Sequence, residues 1–287
     1  MQRMMIEIIV IAAAVIILAL LVCLSVLGKN LKLFSSKMLK NNVHPFWMRW
    51  LLYSVVGLAW VLAKLHFPGF ETIVTYGFDN RLGNVLRASY WKCRIEQLGE
   101  DVIIDIGAKA TCWDLLSIGD HSWIDRNVIL ETGIIDPTKF KVHIKRTSTL
   151  VKEGQLKIGR GCHISKNVVI QSCGGVFIGD FTGIASGAKI YSLSHHYKNI
   201  EHDDGKIYKF TPLASPEDQS LIQGTVILEG NNALGLNSVI LPGVTIGKNS
   251  WIGVCSYVVE DIPPNSVAVG CPAKVTKILQ HKKDECT

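Results

Sequence analysis

The chain has 287 residues, a formal net charge of +6 and only 19% charged side chains. This length suffices for one sizeable core plus an accessory segment. The positive charge lies mostly near an apolar N-terminal segment and in a few loops, without the aromatic-interleaved basic stripe of nucleic-acid sites. We therefore expect anionic lipid and phosphate-bearing ligands, and no nucleic-acid partner.

The N-terminal segment is apolar over residues 8–28, which carry no charge and are rich in Ile, Leu, Val and Ala. A helix of this length crosses the roughly 30 Å hydrocarbon layer of a bilayer, and the mean hydropathy of +0.27 fits such a segment. Lys29 follows directly, without the small-residue cleavage site of a secretory signal. We predict a transmembrane anchor over residues 1–28.

A second apolar run covers residues 50–63 and includes the aromatic residues typical of membrane interfaces. It is too short to span comfortably, and the basic loop before it should stay cytosolic. We predict that residues 29–69 form a basic loop and an interfacial or re-entrant helix. The alternative is a core helix of the soluble domain.

An aliphatic residue returns at every sixth position late in the chain, at Leu228, Leu234, Ile240, Ile246, Ile252 and Val258. The same period runs through residues 106–130, where Ile106 and Cys112 are its first members, through residues 158–170 and, after a two-residue slip, through residues 178–190. A short strand plus a corner, repeated three times per coil, gives this period, whereas an α-helix does not. Small or branched residues two positions earlier, such as Ser122 and Val128, should face the same way. The sequence predicts an all-β parallel β-helix over residues 102–279.

The remaining segments are assigned by their position around this repeat. Residues 70–101 are predicted to form a helical cap, the chain after Pro272 a second cap, and residues 280–287 a tail. Two interruptions break the repeat, at residues 135–156 and 191–227. The first is basic, and we favour a solvated loop there over a surface for lipid headgroups or an anionic acceptor. The second is predicted to be the acceptor loop.

Residues 240–278, ILPGVTIGKNSWIGVCSYVVEDIPPNSVAVGCPAKVTKI, resemble the hexapeptide-repeat acyltransferases, and especially the sugar and polysaccharide O-acetyltransferases related to galactoside and maltose acetyltransferases. The V-x-x-D-I-P-P-N and G-x-P-A-K-V segments carry the resemblance, which covers residues 102–279. It implies a left-handed coil, although the usual crossover rule favours the right hand. It also implies a homotrimer with active sites between subunits, acetyl-CoA as acyl donor and no metal.

The resemblance matches the family's catalytic base to His195, in SHHYKNIEHDDGKIY, with His196 as the alternative. A neutral imidazole within hydrogen-bond reach would take the proton of the acceptor hydroxyl. The family often places a carboxylate further along this loop, where the present chain has Lys206. The expected acceptor contacts are Tyr197, Asp203, Asp204 and Lys206, and a solvated acidic loop is the other interpretation.

The family's coenzyme A contacts, most of them made by the backbone, map to Gly235, Leu236, Val254, Val259, Glu260, Lys274 and Lys277. The backbone N–H of Leu236 is the candidate donor to the tetrahedral oxyanion. Lys274 and Lys277 suit the phosphates of coenzyme A. Glu260 stands where a basic residue is common.

We expect an acetyl-CoA-dependent O-acyltransferase that modifies a sugar hydroxyl of a membrane-associated glycan or lipid-linked precursor. The expected location is the bacterial inner membrane, with the catalytic domain in the cytosol. The alternatives are an N-acetyltransferase on an amino sugar, a non-catalytic β-helix scaffold and a metal-dependent hydratase of the γ-carbonic-anhydrase type. The hydratase needs three histidines that converge on zinc, and the nine histidines here include no H-x4-H pair.

Overall fold

The computed structural model describes residues 2–31, 46–136, 139–200, 202 and 204–279. The chain divides into two compact units, Met1–Arg94 and Ile95–Thr287. The first unit is helical. Within its described residues the helices are α1 (Gln2–Asn30), α2 (Phe46–Lys64), α3 (Phe70–Tyr76) and α4 (Arg81–Arg94).

Helices α1 and α2 cross at very short range. A Cβ added at Gly28 or at Gly57 would overlap a backbone carbonyl of the other helix, so the crossing depends on both glycines. The Ser54 hydroxyl of α2 donates a hydrogen bond to the Leu21 carbonyl of α1 at 3.1 Å. The predicted short helix at residues 50–63 is therefore part of a longer helix that packs on α1.

The membrane prediction for this unit is not supported by its helices. Among the residues that the structure describes, no helix is long and apolar enough to span a bilayer. The transmembrane anchor predicted over residues 1–28 thus lacks structural support.

Helix α4 lies in the segment that was predicted to cap the coil. One of its buried side chains is a cation, Arg87. The Arg87 side chain is 1% exposed, and its guanidinium donates to the carbonyls of Val74 and Phe78 at 3.1 and 3.0 Å. It also donates to Asn84 Oδ1 at 2.6 Å. These bonds compensate its burial and tie α4 to the chain around α3. Helix α4 belongs to the first unit, and the coil begins after it at Gln97 rather than at residue 102.

The second unit winds through six coils of three strands each, and in every coil the first strand belongs to sheet A, the second to sheet B and the third to sheet C. The strands of the first two coils are β1 (Gln97–Leu98), β2 (Ile103–Ile104), β3 (Lys109–Ala110), β4 (Leu116–Ile118), β5 (Trp123–Ile124) and β6 (Ile129–Glu131). Then β7 (Lys141–Arg146) precedes the third and fourth coils, β8 (Leu156–Ile158), β9 (His163–Ile164), β10 (Val169–Gln171), β11 (Val176–Ile178), β12 (Gly183–Ile184) and β13 (Lys189–Tyr191). Next come β14 (Leu193–His195), β15 (Ser220–Gly224) and the last coils, β16 (Val226–Leu228), β17 (Ala233–Leu234), β18 (Val239–Ile240), β19 (Thr245–Ile246), β20 (Trp251–Ile252) and β21 (Tyr257–Val258). Strands β22 (Ser266–Gly270) and β23 (Ala273–Ile278) follow the last coil.

The three sheets confirm the predicted parallel β-helix, because equivalent strands of successive coils pair in parallel and in register. The inward row of sheet B is almost fully excluded from solvent, as Ile124, Ile164 and Ile252 show. Ser122 and Val128 are buried in the same interior, as predicted. The Ser122 hydroxyl donates to the Gly159 carbonyl at 2.9 Å, which satisfies a polar group inside an apolar prism.

The first coil was predicted two residues out of phase. Ile104 is the buried residue there, whereas Ile106 is only half-buried and Cys112 is exposed. The cause is the turn from sheet C to sheet A, which is two residues longer between Ala110 and Ile118 than late in the chain. A fixed period of six therefore holds within the last two coils and slips in the first.

The two interruptions of the repeat form one structure, a three-stranded sheet D. Strand β7, from the first interruption, pairs in parallel with β15, which pairs antiparallel with β14. The prediction of a solvated loop at residues 135–156 was wrong. Val142 and Ile144 alternate with basic residues as in a strand, and pairing with β15 satisfies backbone groups that a loop would leave to water.

The C-terminal end of the coil is closed by strands. Strand β22 extends sheet B in parallel from β20, and β23 folds back antiparallel on β22. The helical cap predicted after Pro272 is therefore wrong. The segment AKVTKI contains two β-branched residues besides its terminal Ile, a composition that suits a strand.

Candidate active site

His195 is the last residue of β14 and lies opposite Leu221 of β15. Its half-buried ring lines a cleft of about 420 Å³ between sheet D and the ends of the sheet C strands. The other residues of the cleft are Gln171, Tyr191, Leu193, Ser194, Leu221, Val239 and Leu241. The imidazole is thus a polar group in a mostly apolar recess open to a ligand.

Gln219 holds the ring of His195. Its amide nitrogen donates to the Ala214 carbonyl at 2.7 Å, and its amide oxygen lies 3.0 Å from His195 Nε2. An amide oxygen only accepts, so in the neutral ring Nε2 carries the proton and Nδ1 keeps the lone pair that a base requires. Gln219 is 1% exposed, which makes this contact a fixed one.

The start of β14 is fixed by Gln171, at the end of β10. Its side-chain oxygen accepts hydrogen bonds from the N–H groups of Ser192 and Leu193, at 3.2 and 3.0 Å. The Ser192 hydroxyl also donates to the Gln171 carbonyl at 2.8 Å. The strand that presents His195 is therefore attached to the coil at its first residues.

His196, the alternative base, occupies a different environment. Its Nδ1 lies 2.9 Å from the Lys198 carbonyl, and its ring stacks on Tyr197 with centroids 4.6 Å apart. His196 is absent from the lining of the cleft. Between the two neighbours, the geometry favours His195.

Two of the predicted contacts to the acceptor substrate, Lys206 and Asp204 of the second interruption, are engaged with other residues of the chain. The Lys206 ammonium donates to the Glu217 carbonyl at 2.7 Å and pairs with Asp218 at 3.1 Å. Asp204 accepts hydrogen bonds from Tyr208 and Lys141. Neither side chain lines the His195 cleft.

The other two residues predicted to contact the acceptor substrate are Tyr197 and Asp203. Tyr197 is 64% exposed beside the stacked His196, and it too is absent from the cleft lining. Asp203 lies outside the described residues.

The basic side chains of β7 are engaged with the rest of the unit. The Tyr208 hydroxyl and the Lys141 ammonium both donate to Asp204 and hold the pKa of its carboxyl well below its usual range. Arg146 binds Asp261 through two parallel hydrogen bonds of 2.8 and 2.7 Å. These contacts attach the first interruption to the histidine-bearing segment and to the last coil.

Three of the predicted donor contacts, Gly235, Leu236 and Val254, line one groove of about 400 Å³ along sheet B and its corner with sheet C. Gly235 is required there, because a Cβ would lie 2.6 Å from the backbone of Val254 in the next coil. Within the described part of the chain, the Leu236 N–H donates to no acceptor. It is therefore free to meet a developing oxyanion.

The remaining residues predicted to contact coenzyme A lie apart from this groove. The Val259 carbonyl accepts a hydrogen bond from the Lys145 ammonium at 3.2 Å. Glu260 pairs with Lys274 at 3.2 Å on the exposed surface, and Lys277 lies on β23 opposite Val267. The structure thus places Lys274 and Lys277 at the β23 edge of sheet B.

The groove also contains residues that the sequence analysis missed. They are His163, Ser165, Gly183, Ile184, Ala185, Ala233, Leu234 and Trp251. They could have been predicted from the outward-facing position of each sheet B strand. His163, Gly183, Ala233 and Trp251 occupy this position and pair in register from one coil to the next.

The cleft and the groove share no lining residue within one chain. The predicted base therefore lies in one recess and the predicted oxyanion donor in another. Over the described ranges, no group of three or more His, Cys, Asp or Glu side chains could hold a metal ion.

The chain is similar to known proteins in sequence and in fold. No family model matches the chain. The galactoside O-acetyltransferase of Escherichia coli (strain K12) is 30% identical over 167 residues, 58% of this chain and 65% of that protein. The dTDP-4-amino-4,6-dideoxy-D-glucose acyltransferase of Escherichia coli is 28% identical over 179 residues, 62% of this chain and 80% of that protein. The chain thus spans just under two thirds of the length of the galactoside enzyme.

A solved structure of a variant of AntD, an N-acyltransferase from Bacillus cereus in complex with dTDP and coenzyme A, shares the fold. The TM-score is 0.53 at 23% identity, over 66% of this chain and 87% of AntD. These two relatives are sugar acyltransferases of the hexapeptide-repeat family. This finding confirms the resemblance predicted from residues 240–278.

Proposed function

We propose that this protein is an acyltransferase that moves an acyl group, in the first instance acetyl, from coenzyme A to a hydroxyl of a sugar. The observation that carries the proposal is the clustering of Gly235, Leu236 and Val254 in one groove, while His195 lines a cleft with its ring held by Gln219. The sugar acyltransferase relatives supply the substrate class.

In the proposed reaction, His195 acts as the general base. The acceptor oxygen attacks the thioester carbon as the imidazole takes its proton, and the Leu236 N–H stabilises the oxyanion. The carbon–sulfur bond then breaks, and the thiolate leaves with the proton that His195 returns. Gln219 accepts a hydrogen bond from the far side of the ring throughout, which keeps the basic nitrogen directed at the acceptor.

We also propose a homotrimer of left-handed coils, in which the cleft of one subunit faces the groove of the next. What supports this is that the cleft and the groove share no residue within one chain. Assembly around a threefold axis would give three equivalent sites.

The finer part of the proposal concerns the acceptor and the location. We propose a membrane-associated glycan or lipid-linked sugar as acceptor, at the cytosolic face of the bacterial inner membrane. What supports this is the outer surface of α1, where Ile16, Ile17 and Leu20 are each more than half exposed. Apolar surfaces of this kind serve as contact sites for membranes or partners.

Substitution of the base tests the proposal. His195→Ala should lower kcat by the roughly 10²–10⁴-fold typical of a lost general base, and leave the affinity for coenzyme A near normal. His196→Ala is the matched control and should retain most activity. Full activity of the His195 variant would refute the assignment of the base.

A transfer to nitrogen is the second candidate. It is favoured by the 80% coverage of the amino-sugar acyltransferase from Escherichia coli. Product analysis with matched acceptors, a sugar and its amino-sugar analogue, distinguishes an ester from an amide. Formation of amide alone would replace the O-acyltransferase assignment.

A further inference from the structure

At the corner between sheets A and B, each turn of the chain contains one residue in the left-handed backbone conformation. These residues are Asp101, His121, Gly161, Phe181, Asn231, Asn249 and Asn265, with φ between 48° and 62°. Gly, Asn, Asp and His are the residue types that adopt this conformation most readily. Phe181 is the exception, because a bulky side chain is disfavoured there.

The Phe181 side chain gains little from burial at this position. It is 58% exposed, so that contact with the coil offsets little of the unfavourable backbone conformation. The coil nevertheless makes room for the ring, since a Cβ added at Gly161 in the preceding coil would lie 2.7 Å from it. The Arg160 guanidinium lies 5.2 Å from the ring centroid. An exposed aromatic ring held in an unfavourable conformation points to a role in binding.

Phe181 lines a recess of about 380 Å³ that runs along this corner. Its walls come from the third to the sixth coil, with Arg160 at one end and Lys248 at the other. This distance is three strand spacings, or about 14 Å. The recess shares no lining residue with the His195 cleft or with the sheet B groove. It is a separate, elongated site within the size range of sites for small ligands.

The formal charges around the recess cancel. Arg160 Nε donates to Asp180 Oδ2 at 2.9 Å, and Lys248 at the other end is balanced by Glu229. A Glu229 carboxylate oxygen also accepts the backbone N–H of Lys248 at 3.0 Å. A site for phosphate or for a nucleotide would carry an excess of positive charge. The balance therefore favours a neutral ligand.

Beside the ring, a row of amides ends in an acceptor. Asn231 Nδ2 donates to Asn249 Oδ1 at 3.0 Å, and Asn249 Nδ2 donates to Asn265 Oδ1 at 3.0 Å. This row fixes the Asn231 amide, and within the described part of the chain its Oδ1 accepts no hydrogen bond. Over the same residues, the Lys248 ammonium donates none. The recess thus offers an acceptor and a donor to a ligand, and hydroxyl groups can pair with both.

We propose that this recess is a glycan-binding site, which holds a segment of a neutral sugar chain away from the reacting hydroxyl. A sugar ring combines C–H bonds that pack on an aromatic face with hydroxyls that both donate and accept. The exposed ring of Phe181, with the side chains of Asp180, Glu229 and Asn231 around it, matches that combination. A purely aliphatic ligand would leave these polar groups without partners.

The inference rests on the proposed function, in which the acceptor is a sugar. A chain held at this corner keeps its other sugars at a high local concentration near the same protein molecule. The site therefore favours a polymeric acceptor over a single sugar. It predicts that length of the sugar chain, beyond the sugar that reacts, raises affinity.

Binding to the full-length protein can be measured by saturation-transfer NMR without any acyl donor. The probes are neutral oligosaccharides of two and of six units, built from glucose, galactose or rhamnose. Six-unit chains should bind, and Phe181→Asn should lower their affinity about fivefold or more. The corner has Asn in later coils, so Tm should not fall in this variant.

The matched control is His121→Asn, at the same corner position of the second coil and outside the recess. It should leave the affinity for the six-unit chains unchanged. If no six-unit chain binds the unsubstituted protein, or if Phe181→Asn binds these chains equally well, the glycan site is refuted.

Kinetics with acetyl-CoA separate this site from the reacting centre. Phe181→Asn should raise KM for a six-unit acceptor about fivefold, with kcat and the KM for a two-unit acceptor unchanged. An equal rise in KM for both lengths would place Phe181 at the reacting centre and overturn the proposal. If the six-unit chains bind but no acceptor of either length is acetylated, the proposed function fails and the glycan site stands.

Discussion

At the scale of the residue, the contact between His195 and Gln219 decides which ring nitrogen is basic. The amide is fixed by its donation to the Ala214 carbonyl, so it presents only an acceptor to the imidazole. In Gln219→Glu, a carboxylate beside the ring favours its protonated, inactive form. We therefore expect the acid limb of the pH profile of kcat/KM to move to higher pH, as measured over pH 5–9.

The matched control for this prediction is Gln219→Leu, which removes the acceptor without adding charge. It should lower kcat with little change in KM for the donor, because the ring loses its orientation. A limb that stays in place in Gln219→Glu would show that Gln219 serves the packing of the loop alone.

At the scale of the element, strand β7 is attached to the last coil by Arg146 and Asp261. Burial raises the pKa of the Asp261 carboxyl, but the hydrogen bonds from Arg146 and from the Thr245 N–H outweigh it, and the net shift is downward. Side-chain exposures of 34% and 51% keep the pair in contact with solvent. A double-mutant cycle with Arg146→Met and Asp261→Asn should give a coupling of about 0.2–1 kcal/mol in the free energy of unfolding.

The coupling should depend on pH in a defined direction. A carboxylate with a lowered pKa stabilises the fold above the ordinary aspartate pKa of about 3.9, and this contribution is lost as the pH falls through the lower, folded value. Urea unfolding at pH 7 and at pH 3 measures both. A coupling that grows on acidification would contradict the assignment of the ion pair.

The elements also show what the sequence could and could not reveal. The inward rows were predictable because the interior of the prism admits only aliphatic and small side chains, as at Ile164 and Ser122. The pairing of β7 with β15 was not predictable, because strands so far apart in sequence leave no local signal of their pairing. In addition, the basic residues of β7 suggested a solvent-exposed loop. Gln219 was missed for a related reason. Its role depends on the backbone path that returns it to His195.

At the scale of the whole molecule, the predicted base and the predicted coenzyme A contacts lie in separate recesses of one chain. The proposed trimer can therefore be tested by mixing two inactive variants. His195→Ala and Val254→Asp each remove one half of the proposed site. If subunits exchange at random in a trimer, about a quarter of the sites in an equimolar mixture combine an intact cleft with an intact groove. Activity should return to that level after co-refolding of the two inactive variants. No recovery, in trimers shown to be mixed, would place both halves in one chain.

Sheet D also restricts how this molecule can change in evolution. A stack of coils can in principle lengthen or shorten by one repeat, because each coil contacts only its neighbours. Here β7 leaves after the second coil, β15 enters the fifth, and their pairing spans the third and fourth. One coil more or less between them would separate the partners by about 4.8 Å, a full strand spacing. The pairing of β7 with β15 therefore fixes the number of coils between these two strands. Repeats added before β7 or after β15 would leave this pairing unchanged.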